Sequence, residues 1–284
     1  MVKKVSVIIP TYNRETFIQK ALESVFAQTY QDFEIIVMDD GSTDATRDIV
    51  SGLDKRVRYF YQENKGIAGA RNAGIMKSGG EFVAFLDSDD YWMPDKLERQ
   101  IRLFNEHPEY GMVASCCASV RLDGSFRKKN RPGRSGWILR DLFTKNFIRT
   151  SSAVIRRESL DKTGLFDENL TECEEYDLWL RIAARYPVGF INESLAVYVD
   201  NPAGVSTDSL AGRICRLTVL EKDYLKKKIP RKIYNRRIAE TCHYIGRHYL
   251  KRHNRKEGRA YLKKAQRFFP LYLKNSIYLA LRLW

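Results

Sequence analysis

The chain has 284 residues and 44% hydrophobic content, ordinary for a soluble globular protein and enough for one large domain or a domain with an appendage. No uncharged apolar run reaches the roughly 18 residues of a spanning helix, and residue 5 already opens a strand with no signal-peptide core before it, so a cytoplasmic protein is expected. The charge of +14 is uneven: residues 205–284 hold 21 Lys+Arg against 5 Asp+Glu, while the first 204 hold 28 against 30. A near-neutral front and a strongly basic end suggest a polyanionic partner for the latter, either anionic lipid or nucleic acid. Five cysteines without a CxxC pair read as reduced structural thiols.

In chain order, residues 5–9 form an apolar strand ended by Pro10 and followed by the polar loop Thr11-Tyr12-Asn13-Arg14. Apolar residues at helical spacing over 16–28 predict a helix. A second buried strand, 34–38, ends in Asp39-Asp40-Gly41-Ser42-Thr43-Asp44, which can cap a helix from residue 45. A third strand spans 57–61, and a glycine-rich loop, 64–74, leads into another helix. The buried strand 82–86 then runs into Asp87-Ser88-Asp89-Asp90.

Alternating strands and helices predict a parallel sheet with helices on both faces, and right-handed crossovers put the four polar strand ends on one rim. Ligands bind beyond the carboxyl ends of such strands, so this rim reads as a nucleotide site. Asp87, Asp89 and Asp90 repel one another and suit a hard divalent cation, Mg²⁺ or Mn²⁺. The alternative is a solvated acidic turn capping the helix expected over 94–105.

Further on, the pattern predicts a strand over 112–120, a polar basic loop over 121–134, a short helix over 137–146, a strand over 151–155 and one or two strands over 188–197. The segment beginning Glu174-Glu175 continues as an amphipathic helix; acids in a first turn also suit the helix dipole. Helical runs are expected over 211–227, 232–251, 256–269 and 271–283. In the last, Leu273, Ile277, Ala280, Leu281 and Trp284 share one face, which fits an interfacial helix on anionic lipid or packing on the core or a second subunit.

The segments VSVIIPTYNR (5–14), EIIVMDDGSTD (34–44), NKGIAGARNAG (64–74) and FVAFLDSDDYW (82–92) resemble the successive motifs of family 2 glycosyltransferases over roughly residues 3–205. The resemblance implies a GT-A fold (a Rossmann-like sheet) over 1–204, with 205–284 as a basic helical extension. It also implies an inverting, metal-dependent transfer from a nucleotide-sugar. On it, Pro10, Thr11 and Tyr12 lie at the nucleobase, and Asp40 bonds the base edge, usually uracil. Arg71 lies near the diphosphate, with a planar fork that suits phosphate oxygens; its bland role is a surface ion pair. Asp87, Ser88 and Asp89 match the DxD signature. Asp89 is the direct metal ligand, Asp87 lies near the ribose or a metal-bound water, and Asp90 supports either.

The catalytic base follows from the same resemblance. Family members place Glu-Asp before a helix reading Leu-Trp-Leu-Arg. Here Glu175 stands at the Asp position with one more methylene, and Asp177 is the second candidate. Val199 and Asn201 depart from an Arg and a His that many relatives place near the donor phosphates. The expected partners are a UDP-sugar by default, with dTDP and GDP open, and a sugar or lipid-linked acceptor, as in cell-surface polysaccharide or glycolipid synthesis. An anionic membrane surface or a second subunit could engage the extension. The competing reading is a catalytically inactive GT-A protein docking on membrane or nucleic acid; no nucleic-acid module is recognisable, so nucleic acid is not the expected partner. A nucleotidyltransferase would need a glycine-rich loop after the first strand, and Pro10-Thr11-Tyr12-Asn13 has no glycine.

Overall fold

The computed structural model describes residues 4–129, 132–200 and 209–270. They fall into two compact units, Met1–Asn169 with Glu174–Gly204, and Leu170–Cys173 with Val205–Trp284. The first holds one nine-stranded sheet: β1 (Val5–Thr11), β2 (Phe33–Asp39), β3 (Val57–Tyr61), β4 (Phe82–Phe85), β5 (Tyr91–Trp92), β6 (Met112–Arg121), β7 (Phe126–Lys129), β8 (Val154–Arg156) and β9 (Val188–Asp200). The order is β3-β2-β1-β4-β8-β6-β9-β5, with β7 on β6.

The strands β3, β2, β1 and β4 are mutually parallel, so their carboxyl ends share one edge, as the alternating pattern requires. Beyond β4 the sheet becomes mixed: β8 runs antiparallel to both β4 and β6, while β9 is parallel to β6. Residues 126–129, expected within a loop, form β7 as an antiparallel ribbon on β6. The glycine-rich run is itself helix, Gly66–Lys77. The serines at 151 and 152 belong to a 3₁₀ turn, Thr150–Ser152, and the strand begins only at Val154.

Every residue of β1 is buried, as expected of a strand covered on both faces. Val5, Val7 and Ile9 join the core with Ile18, Leu22 and Val25 of helix Ile18–Phe26. The alternate residue Ile8 meets helix Gly66–Lys77 on the other face. There a Cβ added to Gly74 would lie 2.5 Å from Ile8 Cγ2, so the close approach of helix to strand needs glycine.

The second unit contains helices Leu210–Leu220, Asp223–Lys228, Arg231–Lys251 and Arg255–Phe268. The run expected over 211–227 is thus broken at Glu221-Lys222. The run expected over 271–283, with the face carrying Leu273 to Trp284, lies outside the described residues, as does Asn201. Among the described residues, no helix is long and apolar enough to cross a membrane.

Two glycine substitutions should differ in sign. Gly74→Val, forced against Ile8, is expected to destabilise by about 1–3 kcal/mol. Gly52→Ala, in helix Thr46–Leu53 with nothing within 4 Å, should stabilise by about 0.4–1 kcal/mol. Urea denaturation of the two variants checks both.

Candidate active site

The loops after β1 and β2 are zipped together. Asp40 N donates to Thr11 O (2.9 Å), Asn13 N to Ser42 Oγ (2.9 Å) and Thr43 N to Asn13 Oδ1 (2.8 Å). Asn13 takes a left-handed backbone, φ 50°, which its short polar side chain tolerates. Pro10 is buried within β1 opposite Met38, and Tyr12 is 47% exposed at the loop. Asp40 does not cap the following helix; its Oδ1 accepts from Gln62 Nε2 (2.6 Å) and Lys65 N (2.9 Å). The Thr11 hydroxyl beside it is buried with no hydrogen-bond partner.

Arg71 is 2% exposed and engages two carboxylates. Its Nη2 donates to Asp87 Oδ1 (2.7 Å) at the end of β4, and its Nη1 to Glu174 Oε1 (2.6 Å) at the start of helix Glu174–Ala183. Its guanidinium also lies over the Phe166 ring, 5.4 Å from the centroid. Burial opposes its charge, but Asp87 and Glu174 outweigh that and raise its pKa. The surface ion pair that stood as the bland alternative for Arg71 is instead a buried bridge joining the Asp87 turn to the Glu174-Glu175 pair.

Within the acidic turn each carboxylate differs. Asp87 bonds Arg71, Ser88 is buried, and Asp89 lies 3.7 Å from Arg14 Nε. Asp90 is buried and held well above the usual carboxylate range, by burial first and then by the charge of Asp87. Ser151 Oγ donates to Asp90 Oδ2 (2.5 Å) and accepts from Asp87 N (3.2 Å), and Val199 N donates to Asp90 Oδ1 (3.0 Å). Behind the turn, Trp92 Nε1 donates to Ser151 O (2.7 Å), and the fully buried Lys96 ammonium sits 3.9 Å from the Trp92 ring. Burial brings Lys96 down to about 7, and its Nζ donates to Gln100 Oε1 (2.7 Å).

The two candidate bases are now distinct in setting. Glu175 is half-buried, and burial, followed by the charge of Glu174, pushes it up to about 7. Asp177 is fully buried and accepts from Arg181 Nε (2.8 Å). The Arg181 guanidinium donates in turn to the carbonyls of Thr163, Gly164 and Leu165.

Two contributors, Ser151 and Arg149, carried no functional signal in the sequence; a third, Tyr198, lay in the family motif whose departures are Val199 and Asn201. Ser151 read as strand. Arg149, half-buried, stacks on Tyr198 (4.3 Å to the centroid) with no carboxylate in ion-pair range among the described residues. Burial first, then Asp90, Asp200 and Asp89, raise the Tyr198 phenol, against the pull of Arg149, so both side chains flank the acidic turn.

No cluster of three or more His, Cys, Asp or Glu residues suited to a metal occurs among the described residues. A cation of the magnesium type takes one or two carboxylates and draws its other ligands from substrate phosphates. The carboxylates of Asp87 and Asp89 are of the type and number such a cation takes, and the charge of Asp87 adds to burial in raising the pKa of Asp90.

Parallel strands delivering an acidic turn, a zipped loop pair and a downstream glutamate helix to one edge define a GT-A fold of the nucleotide-sugar-transferase class. The model for "Glycosyl transferase family 2" matches residues 6–164, and the chain belongs to that family. An "Uncharacterized glycosyltransferase" of Rickettsia bellii is 35% identical over 238 residues, covering 80% of this chain and 34% of that protein. The chain thus spans about a third of that relative's length. The "Putative teichuronic acid biosynthesis glycosyltransferase TuaG" of Bacillus subtilis is 33% identical over 205 residues, 68% of this chain and 78% of TuaG. Two solved structures share the fold. S. aureus TarS 1-349 in complex with UDP-GlcNAc has TM-score 0.65 and 18% identity, covering 93% of this chain and 92% of that one. Mannosyltransferase PcManGT from Pyrobaculum calidifontis, in complex with GDP-Man and Mn²⁺, has TM-score 0.62 and 22% identity, covering 100% of this chain and 81% of that one.

Removing Arg71 strands two carboxylates in a dry site. Arg71→Met should destabilise the protein by about 3–5 kcal/mol. Double-mutant cycles with Glu174→Gln, followed by urea denaturation, should return a coupling of about 1 kcal/mol or more.

Proposed function

We propose that this protein transfers a sugar from a nucleoside-diphosphate donor, UDP-linked, to an acceptor hydroxyl with inversion, in the synthesis of a cell-surface polysaccharide or glycolipid. The observation that carries this reading is the Arg71 bridge, which fixes a DxD turn and a glutamate poised near neutrality in one buried network. The names of TuaG and TarS, and the nucleotide-sugars in the TarS and PcManGT complexes, support it.

In this reading the unpartnered Thr11 hydroxyl and Asp40 read the base, with Pro10 and Tyr12 shaping its seat. Asp89, with Asp87, would hold a Mn²⁺ or Mg²⁺ ion together with the donor phosphates; that ion supplies charge neutralisation on the leaving diphosphate. Ser88 and Asp90 keep the turn in shape, and Arg149 offers its guanidinium to a phosphate oxygen. Glu175 removes the acceptor proton as the acceptor oxygen bonds the anomeric carbon. The bond from that carbon to the phosphate oxygen breaks on the opposite side, and the nucleoside diphosphate leaves with the bonding pair. Asp177, locked on Arg181, positions the helix that carries Glu175. The extension, residues 205–284, contacts an anionic membrane surface, a reading supported by its charge balance of +16.

The base must be ionised to work, so activity is lost as pH falls through the Glu175 pKa. The pH profile of kcat/KM, followed by nucleoside diphosphate release from a panel of UDP-sugars, should show an acidic limb near 7. Glu175→Gln should remove that limb and lower the rate about 10²–10⁴-fold, whereas an unchanged limb would move the base elsewhere.

A further inference from the structure

The helical unit has a cavity of about 810 Å³, a volume suited to a small polar ligand. Five cations line it: Lys226, Arg231, Lys263, Lys264 and Arg267. They come from three helices, Asp223–Lys228, Arg231–Lys251 and Arg255–Phe268. Only Lys264 has an acidic partner among the described residues, Glu221, at 2.7 Å. Among the described residues no carboxylate lines the cavity itself; Glu221, which holds Lys264, and Asp223 lie near the lining Tyr234. Lys263 and Arg267 stand four residues apart on one helix, a like-charge spacing that destabilises unless an anion lies between. Tyr234 and Phe268 form an aromatic wall, with ring centroids 6.4 Å apart.

Converging cations with two guanidinium forks match phosphate oxygens better than a lone carboxylate. The aromatic wall adds an apolar side, so the matching ligand is a phosphate joined to something less polar. Past Pro270 the chain continues as LYLKNSIYLALRLW, a sequence of aliphatic and aromatic residues with Lys274 and Arg282. That composition, in a chain whose helical unit also gathers these cations, favours a lipid over a soluble polyanion.

We propose that this cavity is a binding site for the phosphate headgroup of an anionic membrane lipid. The proposal rests on the reading of the extension as a membrane-facing segment and goes further, replacing diffuse charge attraction with a defined site. The cations neutralise the headgroup phosphate while the aromatic wall packs against its less polar neighbour.

The test is flotation of the full chain with phosphatidylcholine vesicles, with and without phosphatidic acid. Wild type is compared with a cavity variant, Lys226→Gln/Arg231→Gln/Lys263→Gln/Arg267→Gln, which leaves the Lys264–Glu221 pair intact. A control variant, Lys227→Gln/Lys251→Gln/Arg252→Gln/Lys256→Gln, removes the same charge from exposed positions outside the cavity. The cavity variant should bind phosphatidic acid vesicles at least about tenfold more weakly than the control. Inorganic pyrophosphate should release wild type from vesicles where chloride at equal ionic strength does not, an arm that needs no variant to fold. Equal losses in the two variants, or equal release by the two salts, would overturn the cavity while leaving membrane contact standing. Failure of wild type to float with any vesicle would overturn both.

Discussion

A guanidinium almost sealed from water needs counter-charges close at hand, because an unpaired buried cation is among the costliest things a protein can hold. Arg71 has two, Asp87 and Glu174, and they come from distant parts of the chain. One ends the strand β4; the other opens helix Glu174–Ala183, 103 residues from Arg71. Because a guanidinium fork is planar and rigid, satisfying both carboxylates fixes how that helix start meets the DxD turn. Gly74 serves the same end by letting the helix that carries Arg71 lie against Ile8 of β1. The sheet supplies the edge, and the bridge sets what stands on it.

The same bridge sorts the acids electrostatically. Asp87 and Glu174 stay paired with a cation, while Glu175, next to Glu174 and partly desolvated, is left near neutrality. Asp90 lies deeper, its pKa raised by burial and then by the charge of Asp87, and it is fastened by Ser151 and Val199. Asp89 is more exposed than Asp90 and lies 3.7 Å from Arg14 Nε. Carboxylates whose environments push their ionisation apart can take different tasks within one site.

Much of this was legible in the sequence. The unbroken apolar runs at β1, β2 and β4 and the polar residues ending them gave the parallel half of the sheet and its functional edge. The family motifs pointed to Asp87, Asp89 and Glu175 as site residues, and the roles given to them are proposals. What escaped were features that depend on long-range pairing. The mixed half of the sheet arises where β8 reverses between β4 and β6, and three residues of strand carry too little periodicity to announce that. Ser151 matters because it touches Asp90, 61 residues away, and nothing local marks it. Arg71 carried the family signal of a phosphate-side cation, yet its burial between two acids could be seen only with the helix at Glu174 in place. Val199 departs from the family pattern in its side chain, while the structure uses its backbone N–H to hold Asp90.

The most direct test of the acidic strand end as a donor site is calorimetric titration with UDP, with and without Mn²⁺, on wild type and Asp89→Asn. The account predicts UDP binding by wild type that strengthens with Mn²⁺ and a variant in which the metal gives no gain. Metal-enhanced binding that survives unchanged in Asp89→Asn, or no nucleotide binding by wild type under any condition, would contradict it.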